Sequence, residues 1–258
     1  MASVNHTSQG ENMKYSKANT KLKKLQKKTG RKVYSFDLLS GHTCPGAKDC
    51  LAKVVYNWDD DSYKLQDGPD QQFRCYSASQ EAQYTATYNH RLANWESVQE
   101  LDSTNQIASG LCTELPNDAE TVRIHSAGDF FKKSSFQAWI LVAKRNPDKI
   151  FYAYTKMNPF WVKNRAIMPD NLIMTASRGG KWDHLIDEHN LREVVVVYSK
   201  GEADTLGLEL DNDDSHAADP NRKDQNFALL IHGMGPAGSR QAKIAASVRK
   251  PKISALTI

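Results

Sequence analysis

The chain has 258 residues, 40% hydrophobic and 25% charged, the proportions of a globular domain, which exclude disorder, collagen or continuous coiled coil as whole-chain descriptions. Four cysteines are too few to staple a chain this long, and no stretch approaches the roughly 20 apolar residues that cross a bilayer. With no apolar signal-peptide core at its start, the expectation is a cytoplasmic protein without membrane attachment.

The net charge of +4 is unevenly spread. Residues 1–32 hold nine Lys or Arg against one acid, and residues 237–258 hold five against none, which leaves residues 33–236 with a net charge of −9. The expected organisation is a flexible basic arm at 1–32, a single α/β domain at 33–250 and a basic tail at 251–258. Lys14, Lys17, Lys21, Lys23, Lys24, Lys27 and Lys28 equip the arm to touch nucleic-acid phosphates through counterion release. A merely solvated arm is the plainer reading.

In chain order, Val33–Leu39 mixes aromatic and aliphatic residues before Gly41 and reads as the first strand. Asp59-Asp60-Asp61 and Asp67-Gly68-Pro69 mark a surface hairpin or loop. From Ala78 to Leu101 the apolar positions recur near every 3.6 residues, which predicts one long amphipathic helix. Strands are predicted at Val122–His125, Ile150–Tyr154, Leu172–Thr175, Val194–Tyr198 and Ala228–Ile231. Helices are predicted from a capping box at Ser134-Ser135-Phe136-Gln137, from Asn158-Pro159, and over Ser239–Val248. Short strands alternating with helices at these intervals predict a parallel (βα) barrel or partial barrel of about six strands, the alternative being an open doubly wound sheet.

Polar or reactive residues follow every predicted strand. They are His42-Thr43-Cys44, His125-Ser126-Ala127-Gly128-Asp129, Thr155-Lys156, Ser177-Arg178-Gly179-Gly180, Ser199-Lys200 and His232-Gly233. In a barrel the carboxyl ends of the strands meet on one rim, so these residues would converge on one pocket there. His125, Asp129 and Lys156 are the candidate catalytic groups. His42, Ser177, Gly179 and His232 are candidates for holding a cofactor or a small-molecule ligand at the mouth. The plainer alternatives are a packed histidine, a helix-capping aspartate and a solvated lysine.

Cys44, Cys50 and Cys75 lie on and after a Gly- and Pro-rich loop, which can present thiolates with backbone amides turned toward sulfur, as an iron-sulfur cluster requires. Zinc accepts the same ligands, although its usual closely paired cysteines are missing, and three unrelated core thiols are the plainer alternative. Cys112 precedes the second strand of the sheet and falls near the opposite rim, so the expected ligands are Cys44, Cys50 and Cys75 alone. A 4Fe-4S cluster held by three cysteines leaves one iron open. His42, His125, Asp129 or an added small molecule could take that position, and His125 is the favoured candidate because its strand is expected to adjoin strand one. An alternative class is a nucleic-acid-associated module with structural zinc and the basic arm on phosphate.

Ser40-Gly41-His42-Thr43-Cys44-Pro45-Gly46-Ala47 with Cys50, Phe73-Arg74-Cys75-Tyr76, Ala78-Ser79-Gln80-Glu81-Ala82, Arg123-Ile124-His125-Ser126-Ala127-Gly128-Asp129, Asp213-Asp214-Ser215-His216-Ala217 and Ala228-Leu229-Leu230-Ile231-His232-Gly233 resemble the gene product 88 family of bacteriophage proteins. The resemblance runs from about Asn19 to Val248 and implies a phage protein working in the infected host cell, with no reaction attached. A cysteine loop after strand one is also similar to the radical S-adenosylmethionine enzymes, whose partial barrels hold a cluster with one open iron. Those enzymes pack their cysteines closely, whereas Cys44 and Cys75 here stand far apart in sequence.

Overall fold

The computed structural model describes residues 13–231 and 242–243. The chain begins with β1 (Ser16–Lys17), α1 (Thr20–Thr29) and β2 (Val33–Phe36), then makes an antiparallel hairpin of β3 (Ala52–Asn57) and β4 (Ser62–Asp67). Helices α2 (Tyr76–Gln83), α3 (Thr85–Gln99) and α4 (Thr104–Thr113) lead to β5 (Thr121–Ile124). There follow α5 (Lys133–Arg145), β6 (Ile150–Thr155), α6 (Asn158–Asn164), β7 (Leu172–Ser177), α7 (His184–Glu188), β8 (Glu193–Val197), α8 (Lys200–Thr205), α9 (Ser215–Ala218) and β9 (Phe227–Leu230). Every predicted strand within the described residues is found to within a few residues. The helix expected over Ser239–Val248 lies outside the described residues apart from Ala242 and Lys243.

The main sheet has the order β1-β2-β5-β6-β7-β8-β9, parallel throughout except for the antiparallel edge strand β1. Because each strand lies beside its successor and parallel crossovers are right-handed, α4, α5, α6 and α7 stack on one face, whereas α9, on the connection from β8 to β9, packs on the other through Ala217 and Ala218. The former face holds the larger core, where Val122, Ile124, Phe151, Ala153, Met174 and Ala176 meet Ile107, Leu111, Phe136, Trp139 and Trp161. The strands do not close into a ring among the described residues: β1 and β9 stand at opposite edges, so the closed form of the expected barrel is not what the chain builds.

The segment expected to be a flexible arm is folded from Met13 onward. Asn19 caps α1 by accepting from the Leu22 N–H at 3.0 Å, and Gly30 ends it in the left-handed conformation. Leu22 and Leu25 are fully buried against Val33, Tyr152, Ile173, Val194 and Phe227, on the sheet face opposite α4, α5, α6 and α7. Burying two leucines contributes roughly 1.5–3 kcal/mol each, enough to hold a lysine-rich helix that composition alone assigns to solvent.

Two further expectations are corrected. The long helix over Ala78–Leu101 breaks at Tyr84, which is extended at φ −126° and ψ 99°. The break folds α3 back on α2 so that Arg91 reaches the Glu81 carboxylate at 2.8 Å and the Ser77 carbonyl at 3.1 Å. In a straight helix ten residues would separate them by about 15 Å. The capping box at Ser134 does not form: α5 starts after an extended Lys132, and the Ser135 hydroxyl donates to the Lys132 carbonyl.

The layer between α1 and the sheet is organised around Asp214, which is completely buried. Its carboxylate accepts from Arg123 of β5 at 2.5 Å, from the hydroxyls of Tyr152 and Tyr154 of β6 at 3.0 and 3.1 Å, and pairs with Lys21 of α1 at 2.6 Å. Although burial opposes its ionisation, Arg123 and Lys21 pull its pKa down to about 2. Asp214→Asn should destabilise the fold by about 3–5 kcal/mol, because two partly buried cations lose a fully buried counterion. The folded-state pKa lies below the unfolded one near 3.9, so the stabilisation is present above about pH 4 and fades as pH falls toward 2. Urea midpoints measured against pH should show this acid limb in the native chain and a shallower one in the variant.

Candidate thiol site at the carboxyl edge of the sheet

The loop after β2 crosses the carboxyl ends of β5, β6 and β7. Leu38 N–H donates to the Ala127 carbonyl, Asp49 N–H to Gly179, and Lys181 N–H to Gly46. Gly41 turns the loop at φ +73°, where a side chain would also collide with the Ala52 carbonyl. At Gly46 a Cβ would sit 2.5 Å from the Lys156 carbonyl oxygen, so glycine lets the loop lie flat on the end of β6.

This path brings Cys44, Cys50 and Cys75 together. All three are free, half-buried thiols within electrostatic reach of one another. Desolvation raises each pKa, that of Cys50 to about 11, and the neighbouring sulfurs and Asp129 push Cys44 and Cys50 further up. Several groups oppose this. The Gly41 N–H donates to the Cys44 sulfur at 3.3 Å, the Lys156 ammonium acts on Cys50, and the amides of Ser77 and Ala78 at the start of α2 act on Cys75. The thiols are therefore protonated when alone at neutral pH, while the donors that would favour thiolates are already in place. Cys112 stands apart, as the sequence suggests. It packs against the core of the helix-covered face, with its sulfur 3.8 Å from the side-chain amide of Asn146, which leads into the amino end of β6.

Asp129, Lys156, Ser177 and Gly179 lie at the same edge. Both oxygens of Asp129 are engaged, one by the Phe130 N–H and the Thr155 hydroxyl at 2.7 Å and the other by the Lys156 N–H at 2.8 Å. The three N–H bonds of the Lys156 ammonium are matched by the Ser177 carbonyl, the Ser177 hydroxyl and the Arg178 carbonyl, at 2.9, 3.0 and 2.7 Å. In this arrangement Asp129 and Lys156, two of the three candidate catalytic groups, stitch the ends of β5, β6 and β7 into a floor under the cysteine loop.

The histidines depart from expectation. His125 takes φ +59°, which breaks strand alternation, and its ring lies among Phe36, Phe130 and Trp139 with neither nitrogen partnered. Burial lowers its pKa to about 4, so it is neutral and faces the apolar core. His42 turns toward the hairpin, its Nε2 2.8 Å from the Val54 carbonyl and its ring 5.5 Å from Trp95. His232 lies outside the described residues.

The sequence reading missed a buried carboxylate beside the thiols. Glu81 accepts from the Ser40 N–H and hydroxyl and from Arg91, and its charge opposes ionisation of Cys75. Only its place in the Ala78-Ser79-Gln80-Glu81-Ala82 stretch hinted at it, since its partner lies across the unexpected helix break.

Among the described residues no three His, Cys, Asp or Glu side chains close on one point as a ready site for a single metal ion. No helix among them is long and apolar enough to cross a membrane.

The sequence profile of the family described as Gene product 88 matches residues 12–250. A curated relative, the Gene 88 protein of Mycobacterium phage L5, is 29% identical over 142 residues, which cover 52% of this chain and 51% of that protein. The chain thus matches about half the length of that relative. No solved structure matches the chain.

Gly46→Ala tests the seating of the loop. The added methyl meets the Lys156 backbone, which should cost about 1–3 kcal/mol. Labelling of Cys44 and Cys50 by a bulky maleimide, followed by peptide mass spectrometry, should accelerate several-fold while Cys112 keeps its native rate.

Proposed function

This chain belongs to the gene product 88 family, and we propose that it is a phage-encoded iron-sulfur protein that holds a cluster through Cys44, Cys50 and Cys75. The observation that carries this reading is the meeting of three free, half-buried thiols from two separate segments over the strand ends, with no fourth cysteine beside them. We read the sequentially wound sheet as an open partial (βα) barrel whose mouth carries this loop, and we place its work in the infected host cell.

The cluster, most simply 4Fe-4S, would supply one-electron exchange and one iron without a cysteine ligand, open to a small molecule. Cys44, Cys50 and Cys75 would hold it. The Gly41 amide and the amides opening α2 would stabilise thiolate charge, and Lys156 would offset part of the net negative charge while keeping the β7 turn in place. Asp129 orients the ends of β5 and β6 beneath the site. The buried, neutral ring of His125 supports a packing role for that residue, so the open iron is assigned to an exogenous ligand.

Anaerobic reconstitution with iron and sulfide should give a brown protein with broad visible absorption. Cys44→Ser, Cys50→Ser and Cys75→Ser should each lose most of the bound iron, whereas Cys112→Ser should retain nearly all of it. A colourless native protein would overturn the reading, and stoichiometric zinc in that sample would favour a structural zinc loop. Equal iron loss in the Cys112 variant would reject the assigned ligand set.

A further inference from the structure

The sequence TKLKKLQKKT of α1 contains five lysines and no acid, and its two leucines fix how the helix sits. With Leu22 and Leu25 turned inward, Lys21 reaches Asp214 at 2.6 Å, while Lys28 lies 3.4 Å from Asp213 and donates to the Ser215 hydroxyl at 2.8 Å. Those two lysines fasten the helix to the body. Lys23, Lys24 and Lys27 are exposed, and their ammonium groups meet no anion among the described residues. Lys17 of β1 and Arg31 beyond the helix cap are exposed likewise and extend the row at either end.

The result is a fixed ridge of positive charge on a body whose residues 33–236 carry a net charge of −9. At 1.5 Å of rise per residue, Lys23 and Lys27 stand about 6 Å apart along the axis, with Lys24 between them. The exposed arc offers no apolar side chain that could enter a lipid headgroup layer, since both leucines of α1 are buried. It also lacks the aromatic or branched anchors that concentrate binding energy between folded proteins. A linear polyanion suits such a row, because lysines neutralise phosphates one by one and release their counterions.

We propose that the outer face of α1, with Lys17, Lys23, Lys24, Lys27 and Arg31, binds the phosphate backbone of nucleic acid without reading sequence. This surface is independent of the cluster reading: it draws on none of the cysteines and holds whatever they bind.

Fluorescence anisotropy of the full chain with a short DNA duplex of arbitrary sequence, across about 50 to 200 mM salt, tests it. Five cations predict a slope of log K against log salt of about −4.5, from about −0.9 per phosphate neutralised. Lys23→Gln/Lys24→Gln/Lys27→Gln should reduce that slope by about 2.7 and weaken binding at least tenfold at the lowest salt. These lysines are exposed, so the variant should keep the native thermal midpoint. Lys144→Gln/Lys163→Gln, which removes two exposed lysines elsewhere, should leave binding unchanged. An intact chain that ignores DNA at low salt would overturn the proposal, as would a triple variant with an unaltered slope, which would move the contact to another basic segment. Binding to vesicles containing phosphatidylserine but not to DNA would likewise reject it.

Discussion

Asp214 carries a full negative charge into the layer between α1 and the sheet, where water cannot solvate it. It is tolerable there because Lys21, Arg123, Tyr152 and Tyr154 take up its lone pairs from three different elements. Removing any partner leaves a charge or hydroxyl stranded, so the cluster is satisfied as a unit or not at all. The sequentially wound sheet carries α4, α5, α6 and α7 on one side, and the other face needs a cover of its own. The carboxylate is the device that draws α1, and the loop leading into α9, over that face.

The same strands carry the thiol site. Tyr152 and Tyr154 alternate on the face of β6 that meets α1, and Lys156 continues the row just beyond the strand, alternate residues being about 6.6 Å apart. The side chains that hold Asp214 and the one that locks the β7 turn beneath the cysteine loop are thus set by one strand. Neighbouring β5 repeats the pattern, with Arg123 inside the buried layer and Asp129 at the edge above it. Rigidity of the buried layer is what makes the floor of the site rigid, and a loop seated through Gly46 has no slack to absorb an error there.

Strand positions were legible because short apolar runs bounded by glycine and polar residues have few other readings. The placing of Cys44, Asp129, Lys156, Ser177 and Gly179 at one edge followed from strand ends, since a parallel sheet sends them there, whereas Cys50 and Cys75 were grouped with Cys44 by the cysteine loop and not by any strand of the main sheet. Side-chain direction did not follow. His125 adopts a left-handed backbone, which turns its ring into the aromatic core, and nothing in a linear pattern announces one positive φ. Charge counting misplaced α1 for a related reason: two leucines among five lysines look soluble until the sheet face that needs covering is known. The break at Tyr84 was hidden because apolar spacing continues through it, while what separates α2 from α3 is the polar pairing of Glu81 with Arg91.

The lysines of α1 are divided by what the fold asks of them. Lys21 and Lys28 spend their charge on Asp214 and Asp213, which are part of the body, and this fixes the rotation that turns Lys23, Lys24 and Lys27 outward. A helix held by leucines alone could roll through an arc at little cost, because apolar contact has no direction. Ion pairs and hydrogen bonds to fixed aspartates do have direction, so the buried acid that closes the sheet face also sets the orientation of the basic ridge. Fold stability and any electrostatic contact made by α1 therefore share one element through different residues, and the outer cations can be altered without disturbing the inner ones.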